Sequence, residues 1–223
     1  KSSDNGDNWT SAGMAGIDSR SICSMQDSIL FVGTQGSGIY KSIDEGQNWT
    51  AVSTGIVSTN FRAIQAEGNT VFAGGQTGTG VYRSIDYGAT WTLLTSGIAS
   101  SSYRGFASNN NLIVAGSFTD GVFYSLDNGD NWTQINQGLL DLNVFDLELN
   151  NNYIIAGTHS QGVFRFPLSE LSTTGINNFE QNENRELTRI VDILGRETLP
   201  KKNQVLFYIY DDGLVIKKQL LNK

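Results

Sequence analysis

Residues 42–50 read Ser-Ile-Asp-Glu-Gly-Gln-Asn-Trp-Thr, and this stretch decides the fold because it recurs. The pattern Ser-x-Asp-x-Gly-x-x-Trp occurs four times, each followed by Thr, at residues 2–10, 42–50, 84–92 and 125–133, here called box 1 to box 4. The box aspartates are 40, 42 and 41 residues apart. A repeat of about 40–45 residues built from short strands is typical of the blades of a β-propeller.

Each repeat predicts four short strands, named a to d in chain order. In one repeat, residues 64–66 end strand a, 71–74 form b, 80–84 form c and 91–94 form d. The b strands are continuously apolar, as in Ile29–Val32, Leu112–Ala115 and Tyr153–Ala156. An unbroken apolar strand indicates burial on both faces, which occurs when one blade lies between two others. The predicted fold class is therefore all-β, with four-stranded antiparallel blades.

Every box position has a local structural role. An Asp side chain in a turn accepts backbone hydrogen bonds, and Gly adopts the left-handed conformation of a tight hairpin. The Trp returns to the strand and buries a large ring. We therefore assign these positions to the scaffold: Ser2, Asp4, Gly6, Trp9, Ser42, Asp44, Gly46, Trp49, Ser84, Asp86, Gly88, Trp91, Ser125, Asp127, Gly129 and Trp132.

These boxes resemble the Asp boxes, or BNR repeats, of sialidases, sortilin-type receptors, xyloglucan-degrading glycosidases and a photosystem assembly factor. The resemblance covers residues 1–171. It implies a β-propeller in which each box lies on a c–d turn at the periphery, away from any active site. It does not imply a particular function.

The number of blades has two interpretations. In the last repeat Pro167-Leu168-Ser169-Glu170 replaces the box, while Trp9–Ala12 reads as a d strand without a blade. Residues 9–12 could complete the last blade as a clasp, giving four blades. Alternatively, further blades precede Lys1, since the sequence starts inside a repeat without an initiator Met or a signal peptide. We expect a processed or truncated chain.

Three arginines recur at the start of successive a strands. Arg20, Arg62 and Arg104 are 42 residues apart, and Phe145 takes this position in the last repeat. This end of the blades, with the b–c loops, is the top face, where propeller ligands usually bind. Converging guanidiniums would hold an anion, and flanking aromatic rings would suit a sugar. The alternative is that the arginines brace neighbouring blades. The candidate ligand-binding residues are Arg20, Arg62, Arg104, Phe61, Tyr103, Phe118 and His159.

Catalysis has weaker support in the sequence. Sialidases carry an arginine in a Phe/Tyr-Arg-Ile-Pro motif, and residues 61–64 resemble it only without the proline. A glycosidase needs two carboxylates across the scissile bond, but Asp146 and Glu148 share one strand face. We predict no catalytic residue, no metal site and no cofactor. A non-catalytic protein that binds a glycan or a protein is preferred; the alternatives are a glycoside hydrolase or sialidase-like enzyme, and a structural module of a larger surface protein.

Charge and composition exclude several classes of partner. The formal net charge is −7, so nucleic acid and anionic membranes are not expected partners. No apolar stretch reaches the length of a membrane span. The one cysteine, Cys23, lies in an apolar strand pattern and is predicted to be an inert core thiol.

The C-terminal region differs in composition from the repeats. Residues 172–185 are polar and linker-like, and residues 186–223 contain three strand-like stretches with an Asp-Asp-Gly turn at 211–213. Residues 191–196 (Val-Asp-Ile-Leu-Gly-Arg), 207–210 (Phe-Tyr-Ile-Tyr) and the Lys-Lys strand resemble the C-terminal sorting domain of the type IX secretion system of Bacteroidetes. The resemblance implies export to the medium or the outer-membrane surface, with the secretion machinery as a partner. The alternative is an ordinary terminal hairpin.

Overall fold

The computed structural model of the chain describes residues 1–26, 28–99, 101–109, 111–171, 187–191, 196–199, 205–210 and 215–219. The chain divides into two compact units, Lys1–Gly175 and Ile176–Lys223. Apart from one short 3₁₀ helix, Leu168–Glu170, the elements of the described residues are β-strands. The all-β prediction is confirmed. Within the described ranges, no helix has the length and apolarity that a membrane crossing needs.

The first unit contains four antiparallel sheets, each formed by strands that are consecutive in the chain. Three of these blades have strands a to d, and the fourth has a to c. Blade 1 comprises β1 (Ser19–Met25), β2 (Ile29–Thr34), β3 (Ile39–Ser42) and β4 (Thr50–Ala51). Blade 2 comprises β5 (Phe61–Glu67), β6 (Thr70–Gly75), β7 (Val81–Ser84) and β8 (Thr92–Leu93). Blade 3 comprises β9 (Tyr103–Asn109), β10 (Leu112–Ser117), β11 (Gly121–Ser125) and β12 (Thr133–Gln134), and blade 4 comprises β13 (Val144–Leu149), β14 (Tyr153–Thr158) and β15 (Val163–Pro167).

The b strands lie between blades, as their apolar sequences predict. All six residues of β6 are buried. Both edges of β6 pair with neighbouring strands of blade 2, and its face packs against β9 of blade 3. Gly74 permits this close approach, since a Cβ at that position would lie 2.7 Å from the Cβ of Tyr103. The hydrophobic core is consequently divided among three interfaces between successive blades.

The row of blades is open at both ends. Strand β1 packs against β5, β5 against β9 and β9 against β13, whereas β1 and β13 make no comparable contact. Gly157, at the repeat position of Gly74, would meet only the carbonyl of Asp146 at 3.9 Å. The clasp predicted for Trp9–Ala12 is not formed, because these residues belong to no sheet and, within the part of the chain that the structure describes, β15 pairs with β14 alone. The alternative of further blades before Lys1 stays a prediction.

Cys23 lies in β1 and is half-buried. Burial raises the pKa of its thiol to about 12, so the reactive thiolate is not populated near neutral pH. The prediction of an inert thiol is supported.

The second unit contains one antiparallel sheet in the order β16 (Leu187–Val191), β17 (Val205–Tyr210) and β18 (Val215–Gln219). The antiparallel pairing of β17 with β18 agrees with the hairpin predicted there. The predicted linker, the Asp-Asp-Gly turn and residues 192–195 of the sorting motif lie outside the described residues.

Candidate functional site

The Ser, Asp and Gly groups of each box satisfy one another. In box 3, Ser84 Oγ donates to Asp86 Oδ1 at 2.7 Å and accepts from Gly88 N at 2.8 Å. Thr90 donates from its backbone N to Asp86 Oδ1 and from its hydroxyl to Oδ2. These hydrogen bonds, led by that of the Thr90 hydroxyl, lower the pKa of Asp86 to about 2. The same pattern, with Asn in place of Thr90, holds in the other three boxes.

The geometry of each box also explains its glycine. Gly88 has φ +81°, and Tyr87 before it has φ +57°, so two consecutive residues are left-handed. Boxes 2, 3 and 4 lie on the c–d turns of blades 1, 2 and 3, where the sequence analysis placed them. With its Ser, Asp and Gly groups paired internally, a box offers little to a ligand.

A cationic and aromatic cluster forms where blades 3 and 4 meet at the top face. Arg104 is the second residue of β9, and its Cζ lies 3.7 Å from the ring centroid of Phe118 and 4.5 Å from that of Phe145. Phe118 and Phe145 meet edge to face at 5.6 Å. His159 stacks on Phe145 with centroids 5.5 Å apart. The antiparallel sheets explain this meeting, since the start of each a strand lies beside the end of its b strand.

Two of the predicted arginines are without a counter-charge. Among the described residues, the guanidiniums of Arg62 and Arg104 have no hydrogen-bond or ion-pair partner, and both Nε atoms are buried. Burial lowers the pKa of Arg104, and the positive charge of nearby Arg62 lowers it further. Two uncompensated cations close enough to influence each other form an incomplete electrostatic arrangement that an anion would complete.

Arg20 differs from its two repeat partners. Its Nη2 forms an ion pair with Asp18 at 2.6 Å and also donates to Gln35. The predicted site of three equivalent arginines is therefore reduced to two, since the charge of Arg20 is already balanced. Asp18 accounts for the difference, because Asn60 and Ser102 take its position in the next two repeats.

Phe61 and Tyr103 do not reach the top face, and their prediction as ligand contacts is wrong. Both have 0% exposure. Adjacent residues of a strand point to opposite faces, so the residue before each arginine enters the core between blades. Phe61 packs edge to face on Tyr82, and the Tyr103 hydroxyl donates to Ala99 O at 2.9 Å.

Phe145 is a site residue that the predicted ligand contacts do not include. In the sequence it stands out only as the residue that replaces arginine in the last repeat. Its exposed ring, 39% accessible, joins Phe118 to His159. The replacement itself was the available signal, because an aromatic ring beside the preceding blade's arginine can stack on it.

The nearby carboxylates do not support acid catalysis. Asp146 and Glu148 are exposed on β13. Hydroxyl hydrogen bonds, led by that of Ser101, lower the pKa of Asp120, and hydrogen bonds from Asn143 and Ser160 lower that of Asp141. A catalytic acid needs a raised pKa instead. The described part of the chain also holds no group of three or more His, Cys, Asp or Glu side chains suited to a metal ion.

No family model and no curated protein matches the chain. Several solved structures match it. The extracellular domain of the putative one-component system BT4673 from B. thetaiotaomicron is 13% identical with a TM-score of 0.56, over 94% of this chain and 29% of that one. An ancestral GH74 enzyme is 18% identical with a TM-score of 0.55, over 90% and 31%. YCF48 bound to D1 peptide is 14% identical with a TM-score of 0.55, over 89% and 64%.

The fold is a β-propeller. Blades 1 to 4 correspond to propeller blades in those structures, and each of the three chains is longer than this one, which spans between 29% and 64% of their lengths. At such identities the likeness establishes the fold alone. The neighbours include GH74 enzymes as well as a protein bound to a peptide, so fold does not decide between catalysis and binding.

Proposed function

We propose that this chain is a non-catalytic binding protein that holds an acidic glycan at the top face. The arginine–aromatic site consists of Arg62, Arg104, Phe118, Phe145 and His159. The observation that carries the proposal is the pair of guanidiniums without a partner in the described structure. The box aspartates and Arg20, by contrast, are paired within this chain.

Electrostatics favours an anionic ligand. Arg62 and Arg104 take the same position on β5 and β9, which pack against each other, and a carboxylate or sulfate between their charges would remove their mutual repulsion. A guanidinium can donate two parallel hydrogen bonds to such a group, and charge-assisted bonds of this kind are short and strong. The Arg104 guanidinium also lies over the Phe118 ring, and an arginine can stack on an aromatic face while its N–H groups donate to an anion.

The aromatic side of the site favours a sugar next to the anion. Phe145 and His159 are exposed and stacked, so two aromatic rings lie at the surface beside the arginines. Flat apolar rings suit the C–H faces of pyranose sugars, and polar groups at the edge then fix the orientation. An acidic peptide with an aromatic side chain shares part of this chemistry, and the experiment below separates the two.

A glycan array with the purified chain tests the proposal. The wild type should bind glycans that carry uronic acid, sialic acid or sulfate, and Arg62→Gln/Arg104→Gln should lose that binding. Arg20→Gln is the matched control, because it removes a repeat-equivalent arginine whose charge is already paired, and it should bind as the wild type does. Absence of binding to every glycan by a folded wild type would leave a peptide ligand as the better account.

We also propose that the second unit directs export through a type IX secretion system. Support comes from the sequence resemblance and from the antiparallel β17–β18 pairing. A fluorescent protein fused to residues 172–223 should reach the cell surface or medium of a Bacteroidetes host that has this system. It should stay in the periplasm of a strain without it. Retention in both strains would contradict the proposal.

A further inference from the structure

The interface between blades 2 and 3 is closed by the tryptophan of a box. Trp132 of box 4 lies in the same core cluster as Val81, Leu94 and Ile98 of the preceding repeat and is 5% exposed. Its backbone N donates to Ser96 O at 3.1 Å. A Cβ at Gly97 would overlap the Trp132 carbonyl oxygen, so this glycine permits the close approach.

The preceding interface repeats this joint. Trp91 of box 3 is 4% exposed and lies in one cluster with Ile39, Val52 and Ile56. Its backbone N donates to Thr54 O at 2.9 Å. Trp49 of box 2 is half-buried and donates from Nε1 to Ala12 O at 2.7 Å. Three box tryptophans are thus seated on the segment that follows the preceding box.

Blade 3 has the same groove without a tryptophan in it. Val122, Ile135 and Leu139 occupy the repeat positions of Val81, Leu94 and Ile98. With Gly138, Ile154 and Ala156 they line an open groove, here called the blade 3 groove. A Cβ at Gly138 would have nothing within 4 Å, in contrast to Gly97. The box that would fill this groove is the one that the last repeat lacks.

The β-edge beside the groove is also incomplete. Strand β15 is the c strand of blade 4, and no d strand of the described residues pairs with it. Val163 on β15 is 73% exposed, whereas Val81 at its repeat position is 0% exposed. The missing element is therefore a box tryptophan followed at once by a short d strand.

Box 1 has the tryptophan of such an element. It lies at the other end of the row of blades, where this tryptophan is not packed into a groove. Its internal hydrogen bonds are complete, including Trp9 Nε1 to Gly6 O at 3.1 Å. Nevertheless the Trp9 ring is 75% exposed. Residues 10–12 belong to no sheet, and Lys1 pairs with Glu45 of blade 1, which keeps box 1 away from blade 4 of its own chain.

We propose that box 1 of one copy docks on blade 4 of a second copy, with Trp9 in the blade 3 groove and residues 10–12 beside β15. The seated tryptophans of boxes 3 and 4 support a second copy of this chain as the occupant, since the chain carries both halves of a joint that it already forms at two blade interfaces. The two surfaces differ, so the contact is head-to-tail. Two copies close a ring through two such joints, and a larger number forms longer rings or chains.

Sedimentation velocity of the full chain over a wide concentration range tests this inference. The wild type should associate with increasing concentration to twice the monomer mass or more, and the emission of Trp9 should shift to shorter wavelength on burial. Trp9→Ser should stay monomeric. Val57→Ser is the matched control, because Val57 is 92% exposed outside either surface, and it should associate as the wild type does.

A mixing experiment distinguishes this joint from other contacts. Trp9→Ser keeps the groove, and Leu139→Lys keeps box 1 but places a charge in the groove, so each alone should be monomeric. Mixed together they should form a dimer through one intact joint. Circular dichroism establishes that both variants are folded. A monomeric wild type, association that survives Trp9→Ser, or a mixture without dimers would each overturn the inference.

Discussion

The peripheral boxes and the arginine–aromatic site both arise from the repeat, but their polar groups differ in hydrogen bonding. Within box 3 the Ser84 hydroxyl, the Asp86 carboxylate and the Gly88 N–H are joined to one another. At the top face, Arg62 and Arg104 have no hydrogen-bond partner among the described residues. The hydrogen-bonded Ser, Asp and Gly of a box therefore belong to the scaffold, and a repeated cation without a counter-charge at the top face is a candidate for ligand contact.

The largest effect should come from removing a seated tryptophan. Trp132→Ala empties the interface between blades 2 and 3 and should destabilise the first unit by about 3–5 kcal/mol, because a large buried ring is lost and a cavity remains. The matched variant Trp9→Ala should change stability little at concentrations where the chain is monomeric, since that ring is 75% exposed. Denaturant unfolding compares the two, and equal losses would contradict this account of the boxes.

A smaller loss is expected from the box hydroxyl. Ser84 is 1% exposed, and Ser84→Ala leaves the buried Gly88 N–H and one oxygen of Asp86 without that partner. Leaving a buried donor unsatisfied costs about 1–3 kcal/mol. Ser3→Ala, in box 1 at a position outside the pattern, serves as the control in the same unfolding measurement and should be neutral.

Acid should weaken the boxes in a defined pH window. Asp86 has its pKa lowered from 3.8 to about 2 in the folded chain. A lowered carboxyl pKa contributes stability above pH 3.8 that is lost as pH falls through about 2, since the unfolded chain takes up the proton first. The melting temperature should therefore decline from pH 4 to pH 2. The decline should be less steep in Asp86→Asn than in the control variant Asp7→Asn, because the carboxylate of Asp7 lies outside the box hydrogen bonds. Parallel slopes in the two variants would be evidence against the box carboxylates as the cause.

The smallest effect on stability should come from the arginine site. Arg104→Gln loses a cation–π contact with Phe118 but also removes a charge that repels Arg62. Because these contributions oppose each other, the free energy of unfolding should change by less than about 1 kcal/mol. Thermal unfolding at low salt checks it, and a loss as large as that of Trp132→Ala would assign Arg104 to the scaffold.

The fold could be predicted from the sequence because its determinants are local and repeated. The period of the box aspartates and the apolar b strands predicted the blades, and β5 to β8 confirm the strands placed in the second repeat. The site was only half predictable. Arg62 and Arg104 were found by their spacing, but the burial of Phe61 and the ion pair of Arg20 with Asp18 depend on strand orientation and on residues outside the repeat.

Contacts between blades escaped prediction for a different reason. His159, which follows β14, stacks on Phe145 of β13, and Arg104 of the preceding blade also lies over the Phe145 ring. The repeat pattern describes one blade at a time. It therefore does not predict which residues that depart from the pattern come into contact across the interface between two blades. The exposed ring of Trp9 is a similar case, because box 1 has the same sequence pattern as the boxes that are seated.

The most direct test of the central claim is the melting temperature of the chain with sodium glucuronate or with glucose at equal ionic strength. Glucuronate should raise the melting temperature of the wild type and of Arg20→Gln, because a ligand that binds only the folded state stabilises it. Glucose should have a much smaller effect, and Arg62→Gln/Arg104→Gln should not respond to glucuronate. An equal response of the double variant and the wild type would contradict an anion site at these two arginines.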